Sequence, residues 1–121
     1  MAKKKTLVLG ASENPARASC LALKKLSATD HPVVAIGKKS GRVGKIEIET
    51  SPKHFEDIDT VTLYINPLHQ KAYYDYILSL HPRRIIFNPG AENSELEAQA
   101  SSKGIQSLNA CTLVMLRTKQ F

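Results

Sequence analysis

Apolar runs rich in β-branched residues recur along the chain as TLVLG (6–10), PVVAIG (32–37), TVTLYI (60–65) and RIIFN (84–88), with a shorter GIQSL (104–108) last. These runs predict five strands. Their hydrophobicity is continuous rather than alternating, which suits strands covered on both faces, as in parallel sheets. Helical patterns fall between them. In Pro15 to Leu26, Cys20, Leu23 and Leu26 share a face, with Asn14 as the expected N-cap and Pro15 as the first helical residue. Over Pro67 to Leu80, again opened by Asn-Pro, the shared face holds Leu68, Ala72, Tyr76, Ile77 and Leu80. A third helix is expected from about Ser94 to Lys103, where Ser94 and Glu97 have capping-box spacing and Gly104 is a stop.

The resulting order is β-α-β, an irregular link, then β-α-β-α-β. The link KKSGRVGKIEIETSPKHFEDID (38–59) reads as loop from its glycines and lysines, while KIEIE suggests a short strand or hairpin arm. The C-terminal CTLVMLRTKQF admits a helix or a strand. The helix is preferred, packing Leu113, Leu116 and Met115 on the sheet. No repeat, linker or low-complexity segment interrupts the pattern beyond the lysine-rich start. The expectation is one α/β domain over residues 1–121, doubly wound, with a mainly parallel five-stranded sheet and helices on both faces.

Composition agrees with this picture. The 121 residues, 42% hydrophobic and 23% charged, suffice for one core without disulfides or a structural metal. No apolar run approaches the ~20 residues that cross a bilayer. The run after the basic MAKKK is too short and strand-like for a signal peptide, so a cytoplasmic protein without a membrane partner is expected. Cys20 and Cys111 form no disulfide or zinc framework and are expected to be free thiols. The net charge of +6 adds something new, because a basic domain commonly meets an anion.

In doubly wound sheets ligands bind outside the carboxyl ends of the strands, so the turns there carry the chemistry. After the first strand come Gly10, Ala11, Ser12, Glu13 and Asn14, a tight turn into a helix whose N-terminus would favour an anion. Arg17, placed in the first helical turn, sits where the dipole disfavours a cation, which an anionic ligand would explain. After the second strand, where a site for unphosphorylated NAD places an acid, the chain has Gly37, Lys38, Lys39, Ser40, Gly41 and Arg42. The two turns together describe a ligand with phosphate groups at both places, which NADP and coenzyme A both satisfy. The full G-x-G-x-x-G fingerprint is missing, which weakens the dinucleotide alternative.

The turn GASENPARAS, the loop IGKKSGRVG, the junctions YINP (64–67) and FNPGAENSE (87–95) and the late NACTLVML together resemble the small stand-alone CoA-binding domain proteins. That fold is similar to the N-terminal nucleotide-binding domain of the succinyl-CoA synthetase α subunit. The resemblance covers almost the whole chain and implies a Rossmann-like site for CoA. It assigns Gly10, Ala11, Ser12, Asn14 and Pro15 to the turn near the ligand phosphates, with Arg17 adjacent. Gly37, Lys38 and Lys39 fall in the basic loop near the adenosine and its 3′-phosphate. Ile65, Asn66 and Pro67 would line the crevice, with Asn88, Pro89 and Gly90 beside it. Many relatives carry an aromatic residue and an arginine where this chain has Ile65 and Asn66. Nothing here corresponds to the synthetase's phosphohistidine domain, so the resemblance implies binding and not ligase chemistry.

No catalytic constellation emerges. His31, His54, His69 and His81 are scattered and read as surface or turn residues, His69 the least clearly so. Glu92, Glu95 and Glu97 read as helix-start acids. Cys111 could open a helix whose N-terminus favours the thiolate and a mixed disulfide with CoA, or be a small thiol packed behind the sheet. Tyr64, Tyr73, Tyr74 and Tyr76 could stack on an adenine, although the spacing of the last three puts at least one in the core. The leading expectation is therefore non-catalytic binding of CoA or an acyl-CoA. An NADP-binding oxidoreductase component is the alternative, and a nucleic-acid-binding module ranks third, since the basic residues cluster in one short loop. Exposed apolar residues in the C-terminal segment would fit a homodimer.

Overall fold

The structure, a computed structural model, describes residues 3–121. The apolar runs form β1 (Thr6–Leu9), β2 (Val33–Ile36), β5 (Thr60–Leu63), β6 (Arg84–Phe87) and β7 (Gln106–Asn109), all mutually parallel where they pair. The link after β2 contributes two more strands, β3 (Gly41–Val43) and β4 (Ile46–Glu49). The sheet thus has seven strands in the order β3-β4-β2-β1-β5-β6-β7 and is mixed, because β3 runs antiparallel to β4. This corrects the expected five-stranded sheet. The hairpin turns at Gly44, φ +60, and only Val43 and Ile48 of its apolar residues are buried, as suits a sheet edge.

Helices cover both faces, as the pattern predicts. Residue alternation along the strands divides the core. Leu7, Leu9, Val61, Leu63, Ile85 and Phe87 project to one side, against α3 (Tyr74–Ser79) and α4 (Ser94–Ser102). Val8, Ala35 and Ile86 project to the other, against α1 (Ala18–Ala28) and α5 (Thr112–Arg117). In α5, Met115 and Leu116 pack against this second cluster.

Two helices depart from expectation. Asn14 caps only a single turn, accepting from the Ala16 amide at 3.0 Å. The chain then extends at Arg17, the N-cap of α1, so the helix starts at Ala18 and not at Pro15. The segment from Pro67 is not one amphipathic helix but α2 (Pro67–Gln70), a 3-10 turn (Lys71–Tyr73) and α3. Its buried residues are Gln70, Tyr74, Ile77, Leu78 and Leu80, so Ile77 and Leu80 of the expected face are buried while Leu68 is 84% exposed. A polar residue is among them because Gln70 Nε2 donates to the Ile65 and Ala91 carbonyls and its Oε1 accepts from Asn93 Nδ2. Asn93, accepting from the Leu96 amide, caps α4 in place of the expected Ser94.

At the opposite end of the sheet from the strand carboxyl termini, His31 is buried, not the surface residue its place before Pro32 suggested. Its Nδ1 accepts from the Lys4 amide at 3.0 Å and its ring meets Phe121 edge-on at 5.0 Å. Arg84 lies over the same phenyl ring and donates to the Phe121 main-chain oxygen. Burial, followed by the charges of Lys3, Lys4 and Arg84, lowers the His31 pKa below 6.5, and Asp30 opposes this only in part. The unfolded chain therefore takes up this proton at a higher pH than the folded one. The contribution of neutral His31 is complete above pH 6.5 and is lost as the pH falls toward the lower folded value. Urea midpoints should fall between pH 7.5 and 5.5, and His31→Gln should flatten that slope. An unchanged slope would rule His31 out as its source.

Candidate functional site

β1 is the strand at which the sheet order reverses, with β2 on one side and β5 on the other. A cleft of about 650 Å³ opens at the carboxyl ends of these strands, lined by three turns. All its lining residues lie between Gly10 and His69.

The first turn joins β1 to α1. Gly10 has φ +99, and a Cβ there would meet the Tyr64 carbonyl at 2.9 Å, so only glycine fits. The Gly10 and Ala11 amides both donate to the Ile36 carbonyl and are committed to the scaffold. Ser12 Oγ accepts from the Asn14 amide. What remains for a ligand is the set of amides of Ser12, Glu13, Ala18 and Ser19, which have no acceptor among the described residues. Two of these open an 11-residue helix, where unpaired N–H groups and the dipole both favour an anion.

The second turn follows β2. At Gly37 a Cβ would lie 2.3 Å from the Ala11 carbonyl oxygen, so the absence of a side chain lets the first two turns approach each other. Lys38, Lys39 and Ser40 then line the cleft. Arg17, Lys38 and Lys39 are exposed, and none has an acidic partner among the described residues. Glu13 reaches across from the first turn, its Oε2 accepting from the Arg42 amide at 2.8 Å. The third turn, after β5, supplies Tyr64, Ile65, Asn66 and His69. Here the Asn-Pro pair does cap its helix, Asn66 Oδ1 accepting from the His69 amide at 3.1 Å.

Of the residues expected at the site, Gly10, Ala11, Ser12, Asn14, Arg17, Lys38, Lys39, Ile65 and Asn66 line the cleft. Pro15, Gly37 and Pro67 sit in its turns without lining it. Asn88, Pro89 and Gly90 lie outside it. Asn88 is buried, and both ends of its amide are consumed: Nδ2 donates to Thr62 Oγ1 and the Leu63 carbonyl, and Oδ1 accepts from the Thr112 amide. Glu13, Ala18, Ser19, Ser40, Tyr64 and His69 complete the lining. The late start of α1 brings in Ala18 and Ser19; Glu13, Ser40 and Tyr64 neighbour predicted positions, and His69 is the residue whose amide Asn66 caps.

Of the four tyrosines only Tyr64 reaches the cleft; Tyr73, Tyr74 and Tyr76 pack in the cluster on the α3 side. The Tyr64 hydroxyl is buried without a hydrogen-bond partner among the described residues. Burial pushes its pKa up to about 12; the Thr112 and Thr62 hydroxyls moderate the rise but bond each other at 2.8 Å. An unsatisfied buried hydroxyl costs stability, so Tyr64→Phe should raise it by about 1 kcal/mol in urea unfolding. A loss of stability would show that the hydroxyl has a partner. Cys111 is the half-buried N-cap of α5 and does not line the cleft, and Cys20 is buried and free. Among the described residues no three His, Cys, Asp or Glu side chains gather into a metal site, and no helix is long and apolar enough to cross a membrane.

Comparison with known proteins adds three structural relatives. The chain is 47% identical to an uncharacterized protein of known crystal structure, with both chains covered in full and a TM-score of 0.97. A hypothetical protein from Pyrococcus horikoshii OT3 is 21% identical with a TM-score of 0.86, the match covering 96% of this chain and 83% of that one. A Thermus thermophilus protein, 20% identical, also reaches 0.86, covering 98% and 91%. These last two show the shared Rossmann-like fold alone. Among curated proteins there is no match. The family model described as CoA binding domain matches residues 4–117, nearly the entire chain, and so this protein belongs to the CoA-binding domain family.

Proposed function

We propose that the chain binds coenzyme A or an acyl-CoA in this cleft and holds it without turning it over. The observation that carries this reading is the convergence on one cleft of three exposed cations, Arg17, Lys38 and Lys39, with the unpaired amides of Ser12, Glu13, Ala18 and Ser19. The amides and Arg17 would receive the diphosphate, the helix terminus adding its partial positive charge. The lysines would receive the 3′-phosphate. Ile65 and Asn66 would flank the ligand from the third turn. Cations and amides of this kind stabilise charge already on the ligand, which is capture. Glu13, the carboxylate among the residues lining the cleft, accepts from the Arg42 amide through its Oε2.

A thermal-shift titration with CoA, 3′-dephospho-CoA, NADP and NAD at matched ionic strength tests the proposal, since a ligand that binds the native state raises the melting temperature. Stabilisation by CoA, diminished without its 3′-phosphate, is expected. Stabilisation by NADP alone would favour the oxidoreductase reading, because the same lysines could receive a 2′-phosphate. No shift from any of the four would overturn the proposal.

A further inference from the structure

Glu13 is a carboxylate in a cleft otherwise furnished for anions, and simple electrostatics makes it a liability there. Its geometry says otherwise. Glu13 Oε2 accepts from the Arg42 amide at 2.8 Å, reaching from the first turn to the start of the β3–β4 hairpin. The carboxylate occupies the space that a side chain on Gly41 would need: a Cβ there would lie 2.3 Å from Glu13 Cδ. The Arg42 guanidinium is turned away, paired with Glu47 on β4, so the contact to Glu13 is made by main chain. Only Lys38, Lys39, Ser40 and Gly41 lie between buried Gly37 and the anchored Arg42 amide.

We infer that Glu13 is a positioning residue, a latch that holds the Lys38–Ser40 loop at the cleft so that its lysines meet the ligand's terminal phosphate. The inference rests on the reading of the cleft as a CoA site. The latch needs an acceptor at position 13, not a negative charge, so two substitutions there should act in opposite directions. Glu13→Gln keeps an acceptor for the Arg42 amide and removes the repulsion, and CoA should bind as tightly as to the parent or more so. Glu13→Ala removes the acceptor. It should weaken CoA about tenfold, the scale of one hydrogen bond to a charged group, although it also deletes a repelling carboxylate. The loss should fall mainly on CoA, narrowing its advantage over 3′-dephospho-CoA. Gly41→Ala should behave like Glu13→Ala, because Gly41 has no positive φ and the three atoms nearest an added methyl all belong to the Glu13 side chain.

The test is isothermal titration of the four proteins with CoA and 3′-dephospho-CoA, together with hydrogen exchange on the ligand-free proteins. Exchange over residues 38–49 should accelerate in Glu13→Ala and Gly41→Ala and stay at the parent rate in Glu13→Gln. Tighter or unchanged CoA binding by Glu13→Ala would overturn the latch, as would equal losses from Gln and Ala. If the parent binds neither ligand, the CoA reading fails; the exchange of Glu13→Ala against Glu13→Gln then decides the latch by itself.

Discussion

Gly37→Ala is expected to destabilise the fold by about 3 kcal/mol, at the upper end of what one added methyl costs in a packed interior. The methyl would lie 2.3 Å from the Ala11 carbonyl oxygen and 3.0 Å from Ile48 Cγ2. The first of these is main chain, held because the Ala11 amide bonds the Ile36 carbonyl, and the Gly37 amide is itself tied to the Glu49 carbonyl at 2.9 Å. Neither the Ala11 carbonyl nor the Gly37 main chain can swing aside as a side-chain tip would. Relief requires parting β1 from β2 at their carboxyl ends, which is the floor of the cleft, so ligand affinity should fall with stability. Urea unfolding measures the first effect and titration of the folded variant the second. An unchanged midpoint would mean that the two turns are further apart than described.

The second large effect concerns the basic loop. Lys38→Glu combined with Lys39→Glu should weaken CoA by about a hundredfold, the sum of two charge-assisted contacts after screening at exposed positions. The same double substitution should weaken 3′-dephospho-CoA far less, since that ligand lacks the group the lysines would meet. Stability should hardly change, because both side chains are exposed and without an acidic partner among the described residues. Affinities measured at several salt concentrations would show the parent's salt dependence shrinking in the variant. Equal losses for the two ligands would remove the 3′-phosphate from the loop.

The parts of this fold that were legible in the sequence are those whose causes are local. β1, β5 and β6 are buried along their whole length, and β2 over its carboxyl half, and they announce themselves as runs rich in apolar and β-branched residues. Of the hairpin, β4 is legible as the short strand or hairpin arm that KIEIE suggests, but β3 is not, because a sheet edge needs apolar residues on one face only and Val43 is too little to stand out among lysines and glycines. Gln70 misled the reading of its helix for a different reason. A buried glutamine is stable there only through Ile65, Ala91 and Asn93, and a periodicity argument that counts apolar positions cannot register it. The same holds for Asn88, whose partners Thr62 and Thr112 lie 26 and 24 residues away. It resembled a cleft residue, yet it joins β5 and β6 to the start of α5. The cleft itself was largely legible because the turns after three strands adjacent in the sheet, β2, β1 and β5, each with its own glycine, proline or lysine signature, converge by topology alone.

That every residue lining the cleft lies between Gly10 and His69 gives the chain an unequal division of labour. The segment from Gln70 onward supplies two strands, three helices and half of the buried polar residues, but none of the cleft's surface. Ligand choice is therefore written between Gly10 and His69, whereas stability draws on the whole sequence. A library confined to the three turns can search for new ligands while positions after Gln70 that touch none of those turns are stabilised separately, and gains from the two should add, since distant sites without shared partners do so.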